Sequence, residues 1–310
     1  MSKIAFLFPG QGSQYVGMGK ELYENIEEAK LEYDKIFKKL DIDLKTVMFE
    51  GPEEKLKETK YTQPAIVLDS LILAKLLELK GITPDFVAGH SLGEYSALAI
   101  SKTLGFEETV MLAAKRGEIM TEVADKVDGT MAAIIGLESN KINEICKSIE
   151  GIVEAVNYNE PLQTVIAGEQ EAIKKACDLL LETGAKRAIV LPVSGPFHSS
   201  LMKEAGEKLK EEFSKFNFNN PKIGFIANTD AEEKKTKEEI MDELYKQTFG
   251  PVKWVKTIQY LKEMGVTEFY EVGPGKVLRG LARKIDKSIK VKSVNSLKDL
   301  EKIVGSVKDL

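Results

Sequence analysis

Apolar and polar positions along this 310-residue chain follow two alternating rhythms. Short apolar runs bounded by glycine or proline, at Ile4–Phe8, Phe86–Ala88, Ile223–Ala227, Glu268–Val272 and Val291–Val294, predict strands. Longer amphipathic stretches, at Ala65–Leu79, Leu92–Ile100, Glu107–Val123, Glu238–Phe249, Val255–Met264 and Val277–Ile285, predict helices between them. Strands joined by crossover helices imply an α/β fold built on a parallel sheet. One block keeps a different order: strand Met131–Gly136, helix Ser139–Ile149, strands Val153–Asn157 and Gln163–Ala167, helix Gln170–Thr183, strand Lys186–Leu191. That βαββαβ sequence is the ferredoxin-like motif. Because the first rhythm resumes on both sides, the chain divides into a large α/β domain of residues 1–124 and 196–310 and an inserted ferredoxin-like subdomain of residues 125–195. The charged stretch Glu232–Glu239 reads as a solvated loop leading into a helix.

Composition narrows the class. With 43% hydrophobic and 30% charged residues the chain matches a globular enzyme or binding protein, not a disordered or fibrous one. A net charge of −5 argues against general nucleic-acid binding, which needs a basic excess to neutralise phosphates. Cys146 and Cys177 are the only cysteines, too far apart in sequence for a disulfide framework or a thiolate zinc site, so no metal is expected and a reducing cytoplasm fits. The first apolar run is too short for a signal-peptide core, and Asp69, Lys75 and Glu78 interrupt the best membrane-helix candidate. No membrane association is expected.

Gly89-His90-Ser91-Leu92-Gly93 has a predicted strand before it and a helix after it, the context that Gly-x-Ser-x-Gly requires. The glycines allow a sharp turn that exposes the serine hydroxyl at a helix N-terminus, where free N–H groups favour a developing oxyanion. An ordinary serine-capped turn shows the same bare pattern; the flanking strand and helix favour a nucleophile. A serine needs a base, and only His90 and His198 are available. His90 adjoins Ser91, and neighbouring side chains diverge at such a turn, so it reads as structural or as part of the rim. His198 follows the proline- and glycine-shaped Pro192-Val193-Ser194-Gly195-Pro196 loop, which can return to the main cleft; a histidine on a loop is otherwise a surface or packing residue. The loop Phe8-Pro9-Gly10-Gln11-Gly12-Ser13-Gln14 can present backbone N–H groups to an anion or carbonyl, opposite the N–H of Leu92. A nucleotide loop is the rival, but no Gly-Lys-Ser/Thr follows. Arg116 is one of four arginines against forty lysines. It is either a bidentate grip for a planar carboxylate or half of a helix-surface ion pair. Beyond Gly273-Pro274-Gly275, Lys276, Arg279, Arg283 and Lys284 share a helix face, which is either merely solvated or a dock for an acidic protein.

Taken together, Phe-Pro-Gly-Gln-Gly-Ser-Gln at 8–14, Gly-His-Ser-Leu-Gly-Glu-Tyr-Ser-Ala-Leu at 89–98, Phe197-His198 and Glu-Val-Gly-Pro-Gly at 271–275 resemble the malonyl-CoA:acyl carrier protein transacylase family, over nearly the whole chain. The resemblance implies a hydrolase-like α/β domain with a ferredoxin-like subdomain. It implies malonyl transfer from malonyl-CoA to acyl carrier protein in fatty-acid synthesis, by a ping-pong route without metal or redox cofactor. It makes Ser91 the acylated nucleophile, His198 the base, the N–H groups of Gln11 and Leu92 the oxyanion hole, and Arg116 the malonyl-carboxylate ligand. Gln247 matches the residue whose main-chain carbonyl orients the histidine, in place of an acid. Phe197 matches the malonyl-selecting form, while Asn157 and Gln163 match a subdomain segment facing the cleft. Acyl carrier protein is the implied partner, with Lys276, Arg279, Arg283 and Lys284 as its candidate dock. A serine esterase or thioesterase, a non-catalytic carrier-protein scaffold and a stand-alone acyltransferase of a polyketide synthase are the rival readings.

Overall fold

The computed structural model describes residues 2–307 and residue 310. Its strands are β1 (Lys3–Phe8), β2 (Phe86–Gly89), β3 (Gly129–Ile135), β4 (Val153–Glu160), β5 (Gln163–Glu169), β6 (Arg187–Val190), β7 (Gly224–Ile226), β8 (Glu233–Lys234), β9 (Val266–Val272) and β10 (Val291–Val294). Its α-helices are α1 (Lys20–Asn25), α2 (Glu27–Phe37), α3 (Leu44–Phe49), α4 (Glu53–Lys57), α5 (Thr59–Leu79), α6 (Gly93–Ile100), α7 (Phe106–Ala124), α8 (Ser139–Ser148), α9 (Gln170–Glu182), α10 (Lys203–Phe213), α11 (Lys237–Gln247), α12 (Trp254–Glu263), α13 (Val277–Ile285) and α14 (Leu297–Val304).

The larger sheet has the order β10-β9-β1-β2-β7-β8, parallel except for β8, which pairs antiparallel with β7. Its central strands read as unbroken apolar runs because both faces are covered. Along β1, Phe6 and Phe8 enter one core with α5, α6 and α7, while Ala5 and Leu7 enter a second core with α12 and α13. The period of two in a strand sends one tetrapeptide into both layers. The smaller sheet is antiparallel, in the order β4-β5-β3-β6, with α8 and α9 closing a third core around Ile134, Ile142, Ile166 and Ile173. This is the ferredoxin-like arrangement expected from the βαββαβ rhythm. Main-chain bonds between Val252 and both Val156 and Tyr158, at 2.7 and 2.9 Å, stitch β4 to the segment after α11.

α5 starts at Thr59, six residues before the start expected at Ala65, and runs through Pro64. Proline deletes one helical hydrogen bond. Here Tyr61, Thr62 and Gln63 are all buried ahead of it, and their packing outweighs the loss. Asp69, which breaks the apolar run in sequence, is buried within α5, where its Oδ1 accepts from the Tyr33 hydroxyl at 2.6 Å. Burial pushes that carboxyl up to about 7. Among the described residues no helix is long and apolar enough to cross a membrane.

Candidate active site

The C-terminal ends of the parallel strands converge on one edge, where an open α/β sheet binds its ligands. The Gln11 loop follows β1, Ser91 follows β2 and Asn228 follows β7. Ser91 sits at φ 51°, a left-handed conformation that is costly for a residue with a side chain. The flanking glycines are sterically required. A Cβ on Gly89 would come within 1.8 Å of the Gly93 carbonyl carbon, and one on Gly93 within 2.1 Å of the Phe8 carbonyl oxygen. Thus the turn packs against the first turn of α6, and α6 packs on the end of β1. The N–H of Leu92, just before α6, has no hydrogen-bond partner among the described residues, and the same holds for the N–H of Gln11. Gly10 brings the Gln11 loop against the turn, since a Cβ there would meet the His90 carbonyl oxygen at 2.5 Å.

His198 arrives on the loop after β6, itself in the left-handed region at φ 67° and almost fully buried. Its Nε2 lies 2.7 Å from the Ser91 Oγ, and its Nδ1 lies 2.8 Å from the main-chain carbonyl oxygen of Gln247. A carbonyl can only accept, so Nδ1 carries the proton and Nε2 presents its lone pair to the serine hydroxyl. Gln247 is the last residue of α11, where helix carbonyls lack intrahelical partners and the dipole is negative. The helix end therefore does the orienting work of a carboxylate without adding a full charge. Burial, then repulsion from Arg116, pushes the His198 imidazole down to about 3. It is a neutral acceptor across the ordinary pH range.

Arg116 projects from α7 and is buried. One terminal nitrogen lies 3.1 Å from the Gln247 Oε1 and 3.4 Å from the Ser91 Oγ, and the guanidinium lies 5.1 Å from the centre of the Tyr95 ring. Its Nε–H has no partner among the described residues, so a desolvated cation keeps an unspent donor. Gln11, Ser91, Arg116, Phe197, His198 and Asn157 all line one cavity of about 440 Å³, which Met120, Met131 and Val165 make partly apolar. The smaller sheet contributes Met131, Asn157 and Val165 to its walls, facing the loops that follow β1 and β2 of the larger sheet. Asn157, on β4, is buried with its Oδ1 unpartnered. Gln163 does not line the cavity; Val165, next on the same face of β5, does. Phe197 and His198 are held by a tight turn, in which a Gly195 Cβ would approach the Ala124 Cβ to 2.5 Å.

Three supporting residues escaped the sequence reading. The Asn228 side chain spans the serine turn, donating to the Gly89 carbonyl at 2.6 Å and accepting from the Ser91 N–H at 2.8 Å. Glu94 and Glu243 both accept from the main-chain N–H of Asn228. Glu94 is in the Gly-His-Ser-Leu-Gly-Glu motif and was legible there; Asn228 and Glu243 carry no local signal. His90 is pinned to the smaller sheet by Asn159, 2.7 Å from its Nε2, and by an edge contact with Trp254. It lines the cavity beside Ser91 and ties the serine turn to the smaller sheet.

Comparison with known proteins matches residues 5–308 to the acyl transferase domain family. A malonyl CoA-acyl carrier protein transacylase of Bacillus subtilis is 43% identical over 312 residues, spanning all of this chain and 98% of the relative. This chain belongs to that transacylase family. Among solved members, the malonyl CoA-acyl carrier protein transacylase of Clostridium perfringens superposes with a TM-score of 0.93 at 40% identity, covering 99% of this chain and 98% of the other. A malonyl-transacylase solved in complex with its type II PKS acyl-carrier protein superposes with a TM-score of 0.94 at 37% identity, covering 98% and 99%. The family fold and this one therefore coincide over essentially their full length.

Proposed function

We propose that this chain transfers a malonyl group from malonyl-CoA to the phosphopantetheine thiol of an acyl carrier protein through an ester on Ser91. One observation carries the reading: the Ser91–His198–Gln247 relay opens into the same cavity as a buried arginine with an unspent N–H. A relay alone suits any acyl group, whereas a buried guanidinium that keeps an unused N–H donor favours an acyl group bearing its own carboxylate. The names of the relatives point the same way.

In the loading half, His198 Nε2 takes the hydroxyl proton as Ser91 Oγ attacks the thioester carbonyl. The N–H groups of Leu92 and Gln11 receive the developing oxyanion. The tetrahedral adduct collapses, the C–S bond breaks, and the imidazolium returns its proton to the CoA thiolate. In the second half, His198 removes the proton of the carrier thiol, the sulfur attacks the ester, and the Ser91 alkoxide recovers the proton. No atom changes oxidation state, so the reaction calls for no redox partner, and we propose that it proceeds without a cofactor. A carboxylate on Arg116 also offsets the repulsion that holds His198 down, so the arriving substrate makes the imidazole a stronger base. Phe197 and Asn157 complete the acyl pocket in this reading. Its test is intact mass after mixing with malonyl-CoA, then with phosphopantetheinylated carrier. One malonyl group should appear, be absent from Ser91→Ala, and move to the carrier. Free malonate in place of malonyl-carrier would make the chain a hydrolase.

The carrier is proposed to dock where α13 faces the smaller sheet. Arg283 and Lys284 line a surface cavity of about 860 Å³ with Lys186, Lys287 and the apolar Leu162, a combination suited to an acidic helical partner. Lys284 is tied to Glu160 at 2.9 Å, and Lys276 lies 3.8 Å from Asp299, whereas Arg279 and Arg283 make no ion pair among the described residues. Arg279→Glu with Arg283→Glu is expected to raise the carrier KM at least fivefold while leaving loading from malonyl-CoA unchanged. Unaltered carrier kinetics would reject this surface.

A further inference from the structure

The mechanism above leaves two buried carboxyl groups unused directly beneath the serine turn. Glu94 on α6 and Glu243 on α11 are 0% and 2% exposed. Glu94 Oε1 and Glu243 Oε1 both lie on the single N–H of Asn228, at 2.5 and 3.0 Å. Glu94 Oε2 accepts from the Gln247 side-chain amide at 2.7 Å. Glu243 Oε1 also accepts from the Thr229 N–H at 2.8 Å, while its Oε2 meets the Thr229 hydroxyl. Two acceptor oxygens on one donor, with water excluded, cannot both belong to ionised carboxylates without severe repulsion.

Among the described residues, the cations near the pair other than Arg116 already hold carboxylate partners, Lys234 with Asp230 and Lys246 with Asp242. Arg116 of α7 faces Glu94, with Tyr95 beside it on α6. Asp230 and Lys234 face Glu243 from the segment after β7, and Lys246 lies near it on α11. Burial and the neighbouring Glu243 raise the Glu94 carboxyl well above its usual range, and burial raises that of Glu243.

We propose that Glu94 and Glu243 share one proton at neutral pH and act as positioning residues for Ser91 and Arg116. The pair grips Asn228, which clamps both ends of the serine turn, and Gln247, whose amide donates to the Ser91 carbonyl at 2.8 Å and presents its oxygen to Arg116. Because Glu94 only accepts at that contact, it decides which end of the Gln247 amide faces the arginine. The shared proton also sets the charge of the site. One negative charge behind one guanidinium leaves the pocket neutral, ready for the substrate carboxylate; a second negative charge would oppose it. The malonyl-CoA KM should therefore rise at alkaline pH, when the shared proton leaves.

This inference rests on the malonyl reading, and the test separates the two. Glu243→Gln keeps an acceptor for the N–H groups of Asn228 and Thr229 and offers an amide N–H to the Thr229 hydroxyl, but it cannot share a carboxyl proton. Loading of Ser91 is followed by rapid quench and intact mass between pH 6.5 and about 9.5. The wild-type KM is expected to rise about tenfold over this range. In E243Q it should change less than threefold over the same range, whatever the absolute loading rate of the variant. Difference infrared spectra, alkaline minus neutral, provide an arm independent of activity. Wild type should lose the carbonyl stretch of a protonated carboxylic acid beyond the contribution of Asp69, which is common to all variants, and that additional component should be missing from both E243Q and Glu94→Gln. Equal KM profiles, or an equal carboxylic-acid signal in wild type and E243Q, would overturn the shared proton. If E243Q fails to fold, the E94Q spectrum decides in its place. Wild type that never takes up malonyl would overturn the substrate reading, leaving the infrared comparison to decide the pair.

Discussion

His198→Ala is expected to slow malonyl loading of Ser91 by roughly 10²- to 10⁴-fold, the range for removing a positioned general base. The hydroxyl would then keep its proton at neutral pH, because among the described residues the other hydrogen-bond neighbour of Ser91 Oγ is the Arg116 guanidinium at 3.4 Å, a donor and not a base. The malonyl-CoA KM should change little, since Arg116 and the N–H groups of Leu92 and Gln11 stay in place. Added imidazole should restore part of the lost rate by entering the space the side chain vacates. Rapid-quench mass analysis of Ser91 measures all three quantities. A loss smaller than tenfold would remove His198 from the role of base. In the free wild-type enzyme, His198 is pushed down to about 3 and the base form exists above that pKa. The profile of kcat/KM should accordingly show no acid limb from this group anywhere above pH 5.

Arg116→Ala is expected to lower kcat/KM for malonyl-CoA by about 10²- to 10³-fold, while acetyl-CoA loading stays level or improves. A charge-assisted contact to a desolvated carboxylate is lost, worth about 2–4 kcal/mol when one partner of a buried pair is removed. An acetyl group has no carboxylate to lose and gains the vacated volume. Arg116→Lys should recover only part of the malonyl activity, because a lysine ammonium lacks the planar fork that matches a carboxylate. The sign of the pH effect is also determined. Arg116 repels a proton from His198, so deleting it raises the imidazole pKa, and an acid limb should emerge at higher pH than in wild type. Equal losses for both acyl groups would make Arg116 a structural residue that holds Gln247 and Tyr95.

The strands and long helices were legible because their periods are long enough to count. β1 declares itself by apolar residues on both faces, and α7 by its repeat over nineteen residues. The short helices between Lys20 and Lys57 were not legible. α1, α3 and α4 have six residues or fewer, less than two turns, which is too short for a period to emerge. They form because Leu22, Val47, Met48 and Leu56 pack on the first core. α5 was expected to start at Ala65 and starts at Thr59, because Tyr61, Thr62 and Gln63 are buried by packing that no local signal weighs.

Site legibility divides in the same way. The chain itself marked the serine turn, in which Gly89 is required by crowding against Gly93 four residues on, and it narrowed the base to one of two histidines by count; that Gly93 is required by Phe8 was decided only by the fold. It also marked Arg116 by rarity, without deciding between a grip and a surface ion pair. Burial settles that choice against the surface, since the guanidinium lies inside, against Gln247 and Tyr95. Only the tertiary structure could bring the end of α11 to His198, 49 residues away, so that a free helix carbonyl orients the imidazole. Likewise, no local pattern foretells that Asn228 spans the serine turn or that Glu94 and Glu243 meet on its N–H. Periodicity and backbone strain are properties of neighbouring residues and can be read along a chain. Hydrogen bonds between distant elements, and the charge states they impose, depend on which groups burial brings together, and that is decided only when the sheets and helices pack.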